Sequence, residues 1–149
     1  MVEKNSMTLT FKSKSENVSF ARIVVGSFAS QLNPTLEELA DIKTSVSEAV
    51  TNAAIHAYED DNGDIKISCK LFKKYVEIEI VDNGVGIEDL NQARQPFYSS
   101  CNTDERSGMG FTLMEMFSDS LNITTKKGKG TTVLIRKNIK SHTAVKKDE

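Results

Sequence analysis

Two stretches of apolar residues at helical spacing follow one another before any hairpin-like pair of strands, and this order constrains the fold more than any other feature. Phe20, Ile23, Val24, Phe28 and Leu32 recur as one helical face after Ser15, a candidate cap, and Asn33-Pro34 is a stop. Thr35-Leu36-Glu37-Glu38 has the form of a capping box, in which the Thr hydroxyl accepts from the Glu38 amide and that carboxylate reaches back to the Thr amide. It launches a long second helix whose stripe is Leu39, Ile42, Val46, Val50, Ala53 and Ala57, running to about Tyr58. The polar run Glu59-Asp60-Asp61-Asn62-Gly63 ends it. Upstream, Met7-Thr8-Leu9-Thr10-Phe11 alternates as a short strand does.

Downstream, β-like runs from Ile65 to Phe72 and from Tyr75 to Asp82 meet at Lys73-Lys74 and predict an antiparallel hairpin. Gly108-Met109-Gly110-Phe111 opens a third helix reaching about Phe117. Leu121 to Thr125 and Thr131 to Arg136 form a last hairpin around Lys127-Gly128-Lys129-Gly130. Helices and strands do not alternate regularly, which argues against a doubly wound parallel sheet. The expectation is an α+β fold: a two-layer α/β sandwich with a mostly antiparallel sheet and helices on one face. The polar stretch from Asn91 to Ser107 exceeds most connections in compact domains and has the character of a lid over a ligand cleft.

With 149 residues, 38% of them hydrophobic, the chain suits one domain with a real core, expected over 1–137 with a polar tail at 138–149 that frays. A formal net charge of -2 gives no global reason to bind nucleic acid or an anionic membrane. Apolar stretches fall far short of the ~20 residues that span a bilayer, and the polar start lacks a signal-peptide core, so the expected location is cytoplasmic. Cys69 and Cys101 have neither zinc spacing nor the density of a disulfide scaffold and are expected as reduced thiols.

Residues four apart on a helix project side by side, so Glu48 and Asn52 can reach one bound ion or water, although such a pair opposite an apolar stripe is also an ordinary solvated face. Magnesium riding on a nucleotide keeps several waters, so one amide oxygen from Asn52 is adequate protein ligation, leaving Glu48 to act as a base. His56, one turn on, is assigned no chemistry. Asp82-Asn83-Gly84-Val85-Gly86 follows a strand: the carboxylate can accept from the exocyclic amino group of adenine, and the glycines permit positive φ and close approach to a flat ligand. The same string is also strong turn chemistry. Gly108-Met109-Gly110 can present helix-start amides to phosphate, and Arg106 can clamp a terminal phosphate, though a lone Gly-x-Gly is a weak signal and a loop arginine is by default solvated. No Walker loop, dinucleotide fingerprint, HExxH motif or Gly-x-Ser-x-Gly elbow is present.

These four pieces occur together and in order, and the combination resembles the GHKL superfamily of ATP-binding folds, shared by gyrase, Hsp90, histidine kinases and MutL. The strings SEAVTNAAIHAY, DNGVGI, ARQPFYSS and ERSGMGFTLMEMF resemble, over nearly the whole chain, the anti-sigma serine kinases of spore-forming bacteria. The resemblance implies a Bergerat-type sandwich with an ATP lid, using ATP/ADP and Mg2+. It casts Glu48 as catalytic base, Asn52 as magnesium ligand and Asp82 as adenine reader, with Gly84 and Gly86 beneath the base. It places Arg106 near the γ-phosphate, Ser99 and Ser100 as lid hydroxyls, Gly108, Met109 and Gly110 as the phosphate turn, and Thr131 as support for Asp82.

The implied activity is phosphorylation of a serine on an anti-anti-sigma protein, and the implied partner is a sporulation sigma factor held by a homodimer. Arg22, opposite Phe20 and Val24, matches an exposed partner-binding arginine; simple solvation is the alternative. Where relatives typically carry Thr-Thr-Lys-Pro, this lid has Ser99-Ser100-Cys101-Asn102, without that positive charge and rigid proline. A general-stress anti-sigma kinase and a non-catalytic, nucleotide-gated sigma-binding module are the alternatives. A histidine kinase fragment is disfavoured, with only His56 and His142 in the chain and no dimerisation helix pair before the boxes.

Overall fold

The capping box at Thr35 fixes where the central helix begins. Thr35 is extended, its Oγ1 accepts from the Glu38 amide at 3.0 Å, and its own amide donates to Glu38 Oε1 at 2.9 Å. The second Glu38 oxygen accepts from the Lys140 amide at 2.9 Å, so one buried carboxylate ties the start of this helix to the far end of the chain. In the computed structural model, which describes residues 2–58, 62–87 and 110–140, the elements run as follows. β1 is Asn5–Lys12, α1 Asn17–Ala29, α2 Leu36–Asn52, β2 Asp64–Leu71, β3 Tyr75–Asp82, α3 Gly110–Phe117, β4 Ser120–Lys126 and β5 Gly130–Asn138.

The five strands form one sheet in the order β1-β2-β3-β5-β4, every neighbouring pair antiparallel. Alternation sends Ile65, Ile67, Cys69 and Leu71 of β2, Val76, Ile78 and Ile80 of β3, and Val133 and Ile135 of β5 into the core under the helices. The opposite face carries Lys66, Lys70, Glu77, Glu79 and Arg136, as a one-sided antiparallel sheet requires. The expected two-layer α+β architecture is therefore the one observed.

α2 is the centre of the helix layer, packed between α1 and α3. Its stripe is buried at Ile42, Val46, Val50, Ala53 and Ala57, with Ser45 and Ala49 added and Leu39 only half-buried. Beyond Asn52 the helix widens into a π turn at Ala53–Ala57, and the chain leaves it extended at Tyr58.

Three expectations are corrected. On α1 the core takes Ala21, Val25, Gly26 and Ala29, while Phe20 and Ile23 stay 46% and 65% exposed. At Gly26 the flexible stem of Lys43 on α2 occupies the space a side chain would take, since a Cβ there would lie 2.6 Å from its Cε and 3.3 Å from its Cγ. Ser15 is not the cap either; Glu16 occupies that place without a side-chain bond, and a 3-10 turn at Ser30–Leu32 ends at Asn33 with φ of 56°. At the other end, β5 continues past Arg136 to Asn138, and Ile139 is buried. Lys137 bonds Asp41 at 2.9 Å and the Phe117 carbonyl at 3.1 Å, which holds this segment against α2 and the end of α3. Among the described residues, no helix is long and apolar enough to cross a membrane.

Candidate functional site

β3 is the central strand, and its period of two places Asp82, like Ile78 and Ile80, on the helix side of the sheet. The result is a carboxylate only 6% exposed at the end of the strand. The Gly84 amide donates to its Oδ1 at 3.0 Å, closing a tight turn. Burial pushes the Asp82 carboxyl above the usual carboxylate value, and the backbone amides of Gly84 and Thr131 pull it partly back. A buried acid with a perturbed affinity for protons at a strand end is a functional-site candidate on physical grounds.

The glycines beside it serve the protein's own packing. A Cβ on Gly84 would fall 2.0 Å from the Ala57 carbonyl oxygen, and one on Gly86, with φ of 77°, would fall 2.2 Å from that of Lys126. Only Gly86 of this pair has the positive φ expected at both. Gly130 closes the third side: at φ of 92° its missing Cβ would lie 2.1 Å from the Asp82 carbonyl oxygen. Thr131, paired with Asp82 across the sheet, reaches the carboxylate through its backbone amide, while its Oγ1 bonds Thr125 Oγ1 at 2.9 Å. Thr125 Oγ1 in turn accepts from the Ile87 amide at 2.8 Å, fixing the far end of the turn.

The other half of the site is α2. Glu48 and Asn52 stand one turn apart, both half-buried, Asn52 as the last residue before the π turn. That turn brings the helix end to the Asp82 loop: the Val85 amide donates to the Ala57 carbonyl at 2.8 Å. Tyr58 adds a second tie, its hydroxyl accepting from the Asn83 amide and donating to the Asp64 carbonyl, each at 2.8 Å. Glu48 also lines a groove of about 500 Å3 between α1 and α2, together with Arg22, Leu36, Leu39, Lys43 and Ser47. Gly110 is the buried first residue of α3. Arg106, Ser99, Ser100, Gly108, Met109 and the rest of the expected lid lie outside the described residues.

Tyr58, Thr125 and Gly130 were not singled out in the sequence. Each acts through a pairing distant along the chain, and only the Lys-Gly-Lys-Gly turn around Gly130 left a local sign.

A central antiparallel sheet under one layer of helices, with a buried strand-end acid beside the end of the middle helix, defines the class of the histidine kinase-like ATPase domain. The family described as "Histidine kinase-like ATPase domain" matches residues 11–137. An anti-sigma F factor of Clostridium novyi (strain NT) is 51% identical over 138 residues, covering 92% of this chain and 96% of the relative. One of Caldanaerobacter subterraneus subsp. tengcongensis is 52% identical over 139 residues, covering 93% and 97%. The chain belongs to the histidine kinase-like ATPase domain family and, within it, to the anti-sigma F factors.

Among solved structures, the RsbU and RsbW domains of Rv1364c from Mycobacterium tuberculosis superpose with a TM-score of 0.65 at 18% identity over 91% of this chain and 32% of that one. The mycobacterial sensor histidine kinase MprB gives 0.56 at 14% identity over 90% and 99%. At these identities the likeness is one of fold.

Proposed function

We propose that the chain is an ATP-dependent protein serine kinase and anti-sigma factor, which phosphorylates a serine of an anti-anti-sigma protein and, as a nucleotide-bound homodimer in the cytoplasm, holds a sporulation sigma factor. The observation that carries this reading is the tie between the two half-sites, Val85 amide to Ala57 carbonyl at 2.8 Å. It sets the Asp82 turn against the end of the helix that bears Glu48 and Asn52. The anti-sigma F names of the relatives support the sigma partner.

The donor set fits a magnesium adenine nucleotide. Asp82 is a buried acceptor suited to an exocyclic amino group, Asn52 offers an amide oxygen of the kind magnesium accepts, and Gly110 opens a helix whose first amides suit phosphate. Bound ATP supplies the transferable γ-phosphoryl group, and magnesium neutralises part of its charge. Asn52 would hold the metal, Gly84 and Gly86 would shape the turn under the base, and Thr131 would steady Asp82 through its amide. Gly110 would face the phosphates, and the family resemblance assigns the same task to Gly108, Met109, Ser99, Ser100 and Arg106, with Arg106 as the cationic clamp. Glu48 accepts the proton of the incoming serine hydroxyl.

The groove shared by Arg22 and Glu48 supports a protein substrate, because a partner engaged by the arginine on α1 is already beside the base on α2. The test is incubation with γ-labelled Mg-ATP and the candidate anti-anti-sigma and sigma proteins, reading transfer and complex formation together. Wild type transfers label to the anti-anti-sigma serine and retains sigma factor only with nucleotide. Glu48→Gln keeps nucleotide binding and loses transfer. Undiminished transfer by that variant removes Glu48 from the mechanism, and nucleotide-gated sigma binding without any transfer by wild type leaves a non-catalytic module.

A further inference from the structure

We propose that Tyr58 is a positioning residue for base selection: its hydroxyl ties the Asn83 amide to the start of β2 and so holds the Asp82 carboxylate where it favours adenine over guanine. This deepens the nucleotide reading of the Asp82 site and rests on it. The π turn at Ala53–Ala57 delivers Tyr58 to this place, where its ring lies against Gly63, so closely that a Cβ there would fall 2.4 Å from Cδ1, Cδ2 and Cε2. Burial raises the phenol above its ordinary pKa, so at neutral pH the hydroxyl keeps its proton. A phenol has one hydrogen to give. It goes to the Asp64 carbonyl at 2.8 Å, which leaves the oxygen lone pair for the Asn83 amide, also at 2.8 Å.

Asn83 stands between the two groups that define the pocket floor. On one side is the Asp82 carboxylate, and on the other is Gly84, whose amide orients that carboxylate at 3.0 Å. Ala57 and Tyr58 therefore grip alternate residues of the turn, the first through its carbonyl to Val85 and the second through its side chain to Asn83. Without the hydroxyl the Asn83 amide loses its partner, the turn loosens, and Asp82 is less firmly aimed. Adenine offers an amino donor to an acceptor carboxylate, whereas guanine offers a carbonyl at the same ring position. A loosened carboxylate thus binds adenine less well and rejects guanine less strongly.

The experiment compares full-length wild type, Tyr58→Phe and Gly63→Ala. ATP, ADP and GTP affinities are measured by calorimetry, and exchange of the Asn83 amide and the Tm are measured without nucleotide. In Tyr58→Phe, ATP and ADP affinities fall by the same factor, about fivefold to tenfold as one lost hydrogen bond allows. GTP affinity falls less, so the ATP:GTP ratio narrows, and the Asn83 amide exchanges faster. Gly63→Ala keeps the hydroxyl but displaces the ring and narrows the ratio in the same way; it decides the matter should Tyr58→Phe not fold. A lowered Tm with an unchanged ATP:GTP ratio overturns the proposal, because the hydroxyl is then only structural. So does an unchanged Asn83 exchange rate. A wild-type chain that binds neither nucleotide overturns the nucleotide reading and this inference with it, whereas a wild type that prefers ATP beside a Tyr58→Phe variant of equal preference overturns this inference alone.

Discussion

Replacing Asp82 by Asn separates what the site does for ligand binding from what it costs the fold. The two side chains are isosteric, and the amide oxygen of Asn still accepts from the Gly84 amide, so the 3.0 Å bond that closes the turn survives. What goes is the charged acceptor for the exocyclic amino group of adenine. Hydrogen bonds to charged groups contribute about 1.5–3 kcal/mol, so the affinity for ATP falls about tenfold to 150-fold. Stability moves the other way. Burial raises the folded-state pKa of Asp82 above its ordinary 3.8, so between those two values the folded state holds more protons than the unfolded one. Stability therefore declines as pH rises through that window, and the full cost persists at neutral pH. Asp82→Asn removes it, so nucleotide-free Tm near neutrality equals or exceeds wild type and loses that acid-side slope. Calorimetric titration with Mg-ATP and scanning calorimetry from acidic to neutral pH measure both effects. An ATP affinity within about twofold of wild type, with native Tm, would refute the role of the carboxylate.

Lys137→Met removes the cation from a pair whose side chains are only 13% and 19% exposed, and leaves the partly buried Asp41 without its ion-pair partner. Urea unfolding should show a loss of about 2–4 kcal/mol, most of it recovered in the Asp41→Leu/Lys137→Met double variant. Two glycines of the last hairpin should respond unequally. Gly128→Ala, at φ of 79° with nothing within 4 Å, costs about 1 kcal/mol. Gly130→Ala, whose Cβ meets the Asp82 carbonyl, costs about 3 kcal/mol or more and impairs nucleotide binding as well. Cys69 is fully buried and its thiol is pushed up to about 12, so in the Cys101→Ser variant a thiol reagent reacts only after denaturant is added. Rapid labelling of the native variant would contradict the packing of β2.

The parts of this protein that could be read from its sequence are those fixed by neighbours. The capping box needs only Thr35 and Glu38, three residues apart, and both of its bonds are present. Both hairpins follow from a period of two interrupted by short polar turns, and their strands pair as expected. The α1 face was misread in part, because periodicity records polarity and says little about size. Phe28 and Leu32 pack against the core as expected, but Phe20 and Ile23, equally apolar, stay exposed while the small Ala21, Gly26 and Ala29 are buried. The end of β5 was misread for a different reason: Lys137, just past the expected strand, and Lys140, in the expected tail, look solvated until Asp41 and Glu38, about a hundred residues earlier, supply their partners. In the site, Glu48, Asn52 and Asp82 carried signals of residue type and spacing. Tyr58 and Thr125 carried none, because their roles exist only once β2, β3 and β4 are assembled beside the helix end.

The central claim is that the Asn52 end of α2 and the Asp82 turn enclose one nucleotide. The most direct measurement is a titration of isotopically labelled protein with Mg-ATP, followed through backbone amide and side-chain amide resonances. The account predicts that the Asn52 side-chain amide and the backbone amides of Gly84, Gly86, Gly110 and Thr131 shift together with one binding constant. Shifts confined to one half-site, or saturation that leaves all of these resonances unmoved, would contradict it.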